Sequence, residues 1–97
     1  TPQQGALLYS QYCQSCHKEN GDGVTGTFPA LSESQLVNGL PQPLIQTVLN
    51  GTNSTIAMPS FSFLNDEQLA AILTYIRSNW KNRATPISPD DVKQLRK

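Results

Sequence analysis

The most regular apolar spacing lies in the last third of the chain. Leu69, Ile72, Leu73, Ile76 and Trp80 recur at helical intervals with polar residues between them. Asn65 stands ahead of them as an N-cap, and Gln68 follows three residues later, as in a capping box. Asp66 and Glu67 suit the positive start of a helix, and Arg77 and Lys81 suit its negative end. The pattern predicts a helix over 66–80. Upstream, Leu44, Ile45, Val48 and Leu49 occupy positions i, i+1, i+4 and i+5, a second helix face that begins near 40–43 and ends at a C-cap, Gly51. Ala6, Leu7, Tyr9 and Tyr12 predict a short helix over 2–18. Gly5 inside it costs about 1 kcal/mol relative to Ala, and suits close approach of another helix. Ser88, Pro89, Asp90 and Asp91 form an N-cap, an N1 proline and an acidic first turn for a tail helix over 89–96. Loops fill the intervals, notably 20–28 with Gly21, Gly23 and Gly26. No segment reads as a convincing strand, and there is no internal repeat. The expectation is an all-α chain of three core helices plus a short C-terminal helix, one domain over 1–97 with 81–97 as its tail.

Composition makes that expectation harder to satisfy. Hydrophobic residues are 37% of the 97 and charged residues 14%, against about 45–50% and about 25% in ordinary globular domains. A chain this short has a thin core, which usually needs a disulfide, a metal or a cofactor as a staple. Seven Lys and Arg balance seven Asp and Glu. No basic run or basic–aromatic alternation points to nucleic acid. No stretch approaches the ~20 apolar residues of a membrane span.

The staple is visible in five residues. The two cysteines and the only histidine form Cys13-Gln14-Ser15-Cys16-His17, and C-x-x-C-H reads as a c-type haem attachment site. Two thiols about one helical turn apart add to the two vinyl groups of one porphyrin. The next residue then lies under the iron and presents an imidazole. Three other readings compete. A disulfide redox pair wants a thioredoxin-like βαβ setting, zinc wants a fourth ligand from a second cysteine pair or histidine, and two buried structural thiols leave the adjacent His17 unexplained. One porphyrin in the core would supply the missing apolar volume, and the chain without it is expected to be largely unfolded.

The single methionine tests this reading. A haem iron that transfers electrons takes a sixth ligand, in cytochromes c typically a Met thioether, which raises the potential. Met58 precedes Pro59, which disfavours helix at Met58, and lies in a polar stretch, 50–60, that reads as a loop. A lone Met is often core filler, but one in a polar loop is a poor core residue and a good ligand.

On these residues the chain resembles the class I, mitochondrial-type cytochrome c family over essentially its whole length. Gly5-x-x-x-Tyr9 and Ile72-x-x-Tyr75 are similar to the family's crossing of terminal helices. Cys13 and Cys16 match its thioether cysteines and His17 its proximal ligand. Phe28-Pro29-Ala30-Leu31 matches the segment whose proline carbonyl accepts the proximal His N–H, a bond that raises the donor strength of the ring. Met58-Pro59 matches the distal ligand loop. Met-Pro-x-Phe, the 66–80 helix and Ile87-Ser88-Pro89-Asp90-Asp91-Val92 look bacterial. They resemble the cytochrome c domains that serve quinoprotein dehydrogenases, and also those fused to copper nitrite reductases.

The resemblance implies a one-electron carrier, not an enzyme: one haem c, with His17 and Met58 as axial ligands to iron, passes electrons between a periplasmic dehydrogenase or respiratory complex and an oxidase or reductase. It implies export to the periplasm and redox protein partners that meet the exposed haem edge near Cys13 and Cys16. Tyr75, Arg77 and Trp80 are candidate donors to the propionates, or else helix packing for the aromatics and a solvated charge for Arg77. The lysine ring of the mitochondrial proteins is missing, since 1–50 carries only Lys18, Glu19, Asp22 and Glu33 as charges. A mostly apolar and neutral contact surface is therefore expected. Two alternatives stand beside a free monomeric carrier. One is a tethered electron-receiving module of a larger redox enzyme, and the other is a haem-based gas sensor with a displaceable Met58.

Overall fold

The computed structural model describes residues 2–18, 21–23, 30–32, 34–51 and 60–96; the side chains of Pro2, Gln3, Ser15 and Cys16 lie outside it. Among the described residues six helical segments occur in order: α1 Pro2–Tyr12, α2 Gln14–His17, α3 Gln35–Asn38, α4 Pro41–Asn50, α5 Asp66–Ser78 and α6 Pro89–Leu95. No strand occurs among the described residues, so the all-α expectation holds.

α1 and α5 cross at Gly5. A Cβ at that position would lie 2.5 Å from the Ala71 carbonyl oxygen and 2.9 Å from Tyr75 Cβ. The sequence expectation of close approach is met, and the missing side chain is what permits it. Tyr9, one turn on, is buried and stacks on Tyr75 and Trp80 with ring centroids 5.5 and 5.2 Å away. The face of α5 that carries Leu69, Ile72, Leu73 and Ile76 is buried, as its spacing predicts, and meets Leu44, Ile45 and Leu49 of α4 in one core.

The caps explain where the helices begin. Asn65 Oδ1 accepts from Gln68 N at 2.7 Å and the Gln68 side chain returns the bond to Asn65 N at 3.0 Å, the reciprocal pair that the sequence predicts. Ser88 and Asp91 form a second such box at the start of α6. Gly51 closes α4 with φ +75°. The tail is no loose appendage: Ile87 and Val92 are buried in the core, and Thr74 Oγ1 bonds both the N–H and the carbonyl of Ile87.

Two expectations need correction, and a third point is new. The helix expected over 2–18 bends at Cys13, whose φ of −117° departs from helical values, and ends at His17 because Lys18 turns left-handed at φ +67°. The helix expected over 66–80 stops at Ser78. Asn79 is extended and its side chain caps the Tyr75 carbonyl at 2.8 Å, while Trp80 adopts φ +56°. Trp80 therefore reaches the core from outside the helix, with its ring under Gly21, where a Cβ would lie 2.6 Å from the indole. The third is an addition: α3 is one turn, started by Ser34 accepting from Val37 N, and is too short to leave a periodic trace.

Candidate functional site

Cys13 sits at the junction of α1 and α2, half-buried and packed against the core. Cys16 lies in α2 and His17 ends it, half-buried. Helical bonding continues through the bend, from Cys13 N to the Tyr9 carbonyl and from His17 N to the Cys13 carbonyl, both 2.9 Å. The i, i+3, i+4 spacing thus places Cys13, Cys16 and His17 on one turn of backbone.

The turn after His17 is fastened by its own carbonyls. The Lys18 carbonyl accepts from the Tyr9 hydroxyl at 2.6 Å and from Gly21 N at 3.2 Å, and the His17 carbonyl accepts from Gly23 N at 3.0 Å. Burial pushes the Tyr9 phenol above its ordinary value, with Cys13 and then Tyr75 adding to the effect. Tyr9 therefore stays a hydroxyl donor across the ordinary pH range.

Pro29 and Met58 lie outside the described residues, but the chain on either side of their loops is described. Beyond Pro29, Leu31 N and Ser32 N both donate to the Gly21 carbonyl, at 2.7 and 3.0 Å, so the chain returns to the turn next to His17. The interval that holds Met58 follows Gly51 at the end of α4, and the chain after it is bonded to the last turns of the same helix. Phe61 N donates to the Val48 carbonyl at 2.9 Å, and the Ser60 hydroxyl to that of Leu49. Phe61 and Phe63 then meet Tyr12 at ring-centroid distances of 5.9 and 5.6 Å. Tyr12 is the neighbour of Cys13. The returning limbs of both loops are thus bonded or packed against the 12–23 segment.

The proposed propionate donors fare differently. Arg77 is only 2% exposed. Its Nη1 donates to the Val37 and Gly39 carbonyls at 3.0 and 2.9 Å, its Nε to the Thr85 carbonyl at 2.8 Å and its Nη2 to Thr85 Oγ1 at 3.1 Å. It is neither a solvated charge nor available to a propionate; it ties α3 and the 84–85 segment to α5. Tyr75 and Trp80 pack with Tyr9, their own rings 6.0 Å apart. Asn82, 1% exposed, extends the tie through Nδ2 to the Leu31 and Ile76 carbonyls and through Oδ1 from Asn38 Nδ2. Sequence reasoning missed Asn38 and Asn82, because a polar residue at a helix end or in a loop carries no sign of its distant partner.

Comparison with known proteins places this arrangement. Residues 1–76 match the protein family described as "Cytochrome C oxidase, cbb3-type, subunit III". The chain is 37% identical over 105 residues to the fructose dehydrogenase cytochrome subunit of Gluconobacter japonicus, covering 95% of this chain and 22% of that protein. It is 34% identical over 110 residues to cytochrome c-552 of Thermus thermophilus, covering 95% of this chain and 83% of that one. The c-type cytochrome XoxG of Methylobacterium extorquens AM1 is similar in structure, with a TM-score of 0.66 at 23% identity over 97% of this chain and 64% of that chain. The chain thus spans about a fifth of the dehydrogenase subunit but most of the Thermus cytochrome. No helix among the described residues is long and apolar enough to cross a membrane.

Proposed function

Because this chain belongs to the c-type cytochromes, a family of haem-bearing electron carriers, we propose that it is a mono-haem electron-transfer domain over 1–97, with haem attached through Cys13 and Cys16 and ligated by His17 and Met58. The donor set fits the group: two thiols and an imidazole within five residues are what would hold a covalently attached porphyrin and its iron. Haem c, when bound, supplies a one-electron Fe(III)/Fe(II) couple. The rest falls to the protein. Cys13 and Cys16 tether the group and expose its edge to a partner. The Pro29 carbonyl accepts from the His17 N–H and fixes the ring. Met58 supplies a thioether, which favours the reduced state. Tyr9, Gly21 and Gly23 hold the turn around His17 so that its ring stays in place while the charge changes.

The observation that carries this reading is the convergence of loop ends on one segment. The limb beyond Pro29 is bonded to Gly21, and the limb beyond Met58 is packed on Tyr12. The working site is the periplasm, and the partners are a dehydrogenase and an acceptor that meet the haem edge. The 37% identity to the fructose dehydrogenase cytochrome subunit supports a further point: the domain acts as an electron-receiving module beside or within a dehydrogenase assembly.

The test is a visible spectrum of the holoprotein, oxidised and reduced, beside a Met58→Ala variant. A sharp reduced α-band, together with a far-red ferric thioether band that the variant loses, is the expected result. A spectrum indifferent to Met58→Ala would sink the ligation, and carbon monoxide binding to the parent protein would then favour a displaceable distal site.

A further inference from the structure

Arg77 and Asn82 are the two buried side chains among the described residues that carry a charge or an amide. They do similar structural work by different chemistry. Asn82 holds the Leu31 and Ile76 carbonyls with a neutral amide. Arg77 holds the Val37, Gly39 and Thr85 carbonyls and the Thr85 hydroxyl with a guanidinium. All of these acceptors are uncharged, and no carboxylate pairs with Arg77 among the described residues. Fastening carbonyls takes donors, not a net charge. The charge of Arg77 is what packing leaves unexplained.

That charge persists. Burial lowers the Arg77 pKa from its ordinary value, but a guanidinium is not deprotonated in a folded protein. A buried cation without a carboxylate costs stability. The carbonyls, and a place in the last turn of α5, where the helix dipole favours cations, offset part of the cost. They do not cancel the charge. The field of a dipole fades faster with distance than that of an ion, so the net positive charge is what remains at range.

The charge also lies at the end of α5 that borders the turn after His17. Ile76, its neighbour, is tied through Asn82 to Leu31, and Leu31 N is bonded to the Gly21 carbonyl. Trp80, three residues on, packs its ring under Gly21. The radius of gyration of the chain, 12.2 Å, sets the scale of separations inside it. At that scale, with an effective dielectric of about 20, one unit charge changes a one-electron equilibrium by about tenfold.

We propose that Arg77 tunes the haem potential as a buried charge acting through space: it disfavours the extra positive charge of Fe(III) and so favours Fe(II). This rests on the haem reading above. The step it biases is the gain of one electron by Fe(III) from a redox partner, with no proton moved and no bond broken.

The experiment measures the midpoint potential of the holoprotein at an electrode, read by its visible spectrum. Arg77→Gln keeps hydrogen-bond donors but removes the charge. It is expected to shift the equilibrium about threefold to tenfold toward Fe(III), where tenfold is about 59 mV for one electron. Arg77→Lys keeps the charge but loses the planar fork. At pH ~6, where a lysine holds its proton, its potential should stay within about twofold of the parent. Asn38→Ala is the control. It removes the bonds to Asn82 and Arg83, so it should lower the melting temperature and leave the potential within about twofold. An Arg77→Gln potential within twofold of the parent overturns the proposal. So does an equal fall in Arg77→Lys or Asn38→Ala, which would place the effect in packing. If Arg77→Gln does not accumulate with haem, the exposed Thr85 decides. Thr85→Asp sets a carboxylate beside the guanidinium and should lower the potential at least about twofold below neutral Thr85→Asn; equal potentials overturn the proposal. A parent protein without a reversible haem couple fails the haem reading and this proposal with it. A reversible couple that Arg77→Gln leaves unmoved fails this proposal alone.

Discussion

Tyr9 does three things from one position. Its ring fills the core between Tyr75 and Trp80, its hydroxyl holds the Lys18 carbonyl, and its burial raises the pH at which it ionises. In the unfolded chain a tyrosine ionises near pH ~10. Below that pH the phenol is protonated in both states and its contribution is fully present. Above it the unfolded chain releases the proton first, so stability falls as pH rises toward the higher folded value. Tyr9→Phe is expected to cost about 1 kcal/mol at neutral pH for the lost bond, and to flatten the alkaline fall. Denaturation curves of holoprotein and variant from pH 8 to 12 would show this, and parallel alkaline slopes would refute it. At the same scale the sequence was most legible where partners are near. Asn65 with Gln68, and Ser88 with the acidic first turn, were readable because a cap reaches only three residues. Arg77 was not, because its acceptors on Val37 and Gly39 are 40 and 38 residues away, and no local pattern marks a buried guanidinium.

The crossing of α1 and α5 turns on the hydrogen of Gly5. An alanine there would gain up to about 1 kcal/mol of helix propensity, but its methyl would meet a backbone carbonyl at 2.5 Å. That oxygen belongs to α5 and has no rotamer with which to yield. Overpacking of this kind costs about 1–3 kcal/mol, so steric conflict wins. Gly5→Ala should lower the melting temperature by about 5–10 °C, read by circular dichroism of the holoprotein; an unchanged or higher value would mean that the helices part easily. Periodicity located the buried faces of α4 and α5 and the start of the tail helix. It overran at Trp80, which sits in register with Ile72, Leu73 and Ile76 but leaves the helix to stack on Tyr9. It overran again beyond His17, where the partners of Tyr9 and Gly23 lie across the turn. Apolar spacing says which side chains go inside, not which backbone carries them there.

Across the whole molecule, positive and negative charges balance, and 1–50 holds only four of them. Tyr12 and Phe63 are 37% and 66% exposed and stack together beside Cys13. A partner that meets this side finds aromatic and neutral polar surface. Salt screens steering by charged rings, so electron exchange with a redox partner should change less than tenfold between low and moderate ionic strength. Stopped-flow rates would check it, and a steeper fall would point to a charged docking site. Of the candidate site, the proposed attachment motif is confined to five consecutive residues. The relation of the Pro29 and Met58 limbs to it was not legible in the sequence, because it depends on carbonyls of Gly21, Val48 and Leu49 that any sequence would possess.

Gly51 and Ser60 are held to neighbouring turns of a single helix, so the eight residues between them begin and end at almost one place. A segment hung in this way is close to an interchangeable cassette. Provided that the proposed ligand Met58 is kept, residues can be exchanged or added there by grafting while the frame beneath keeps its register. Redox character is then adjustable within that interval, with the crossing at Gly5 and the Cys13–His17 turn left as they are.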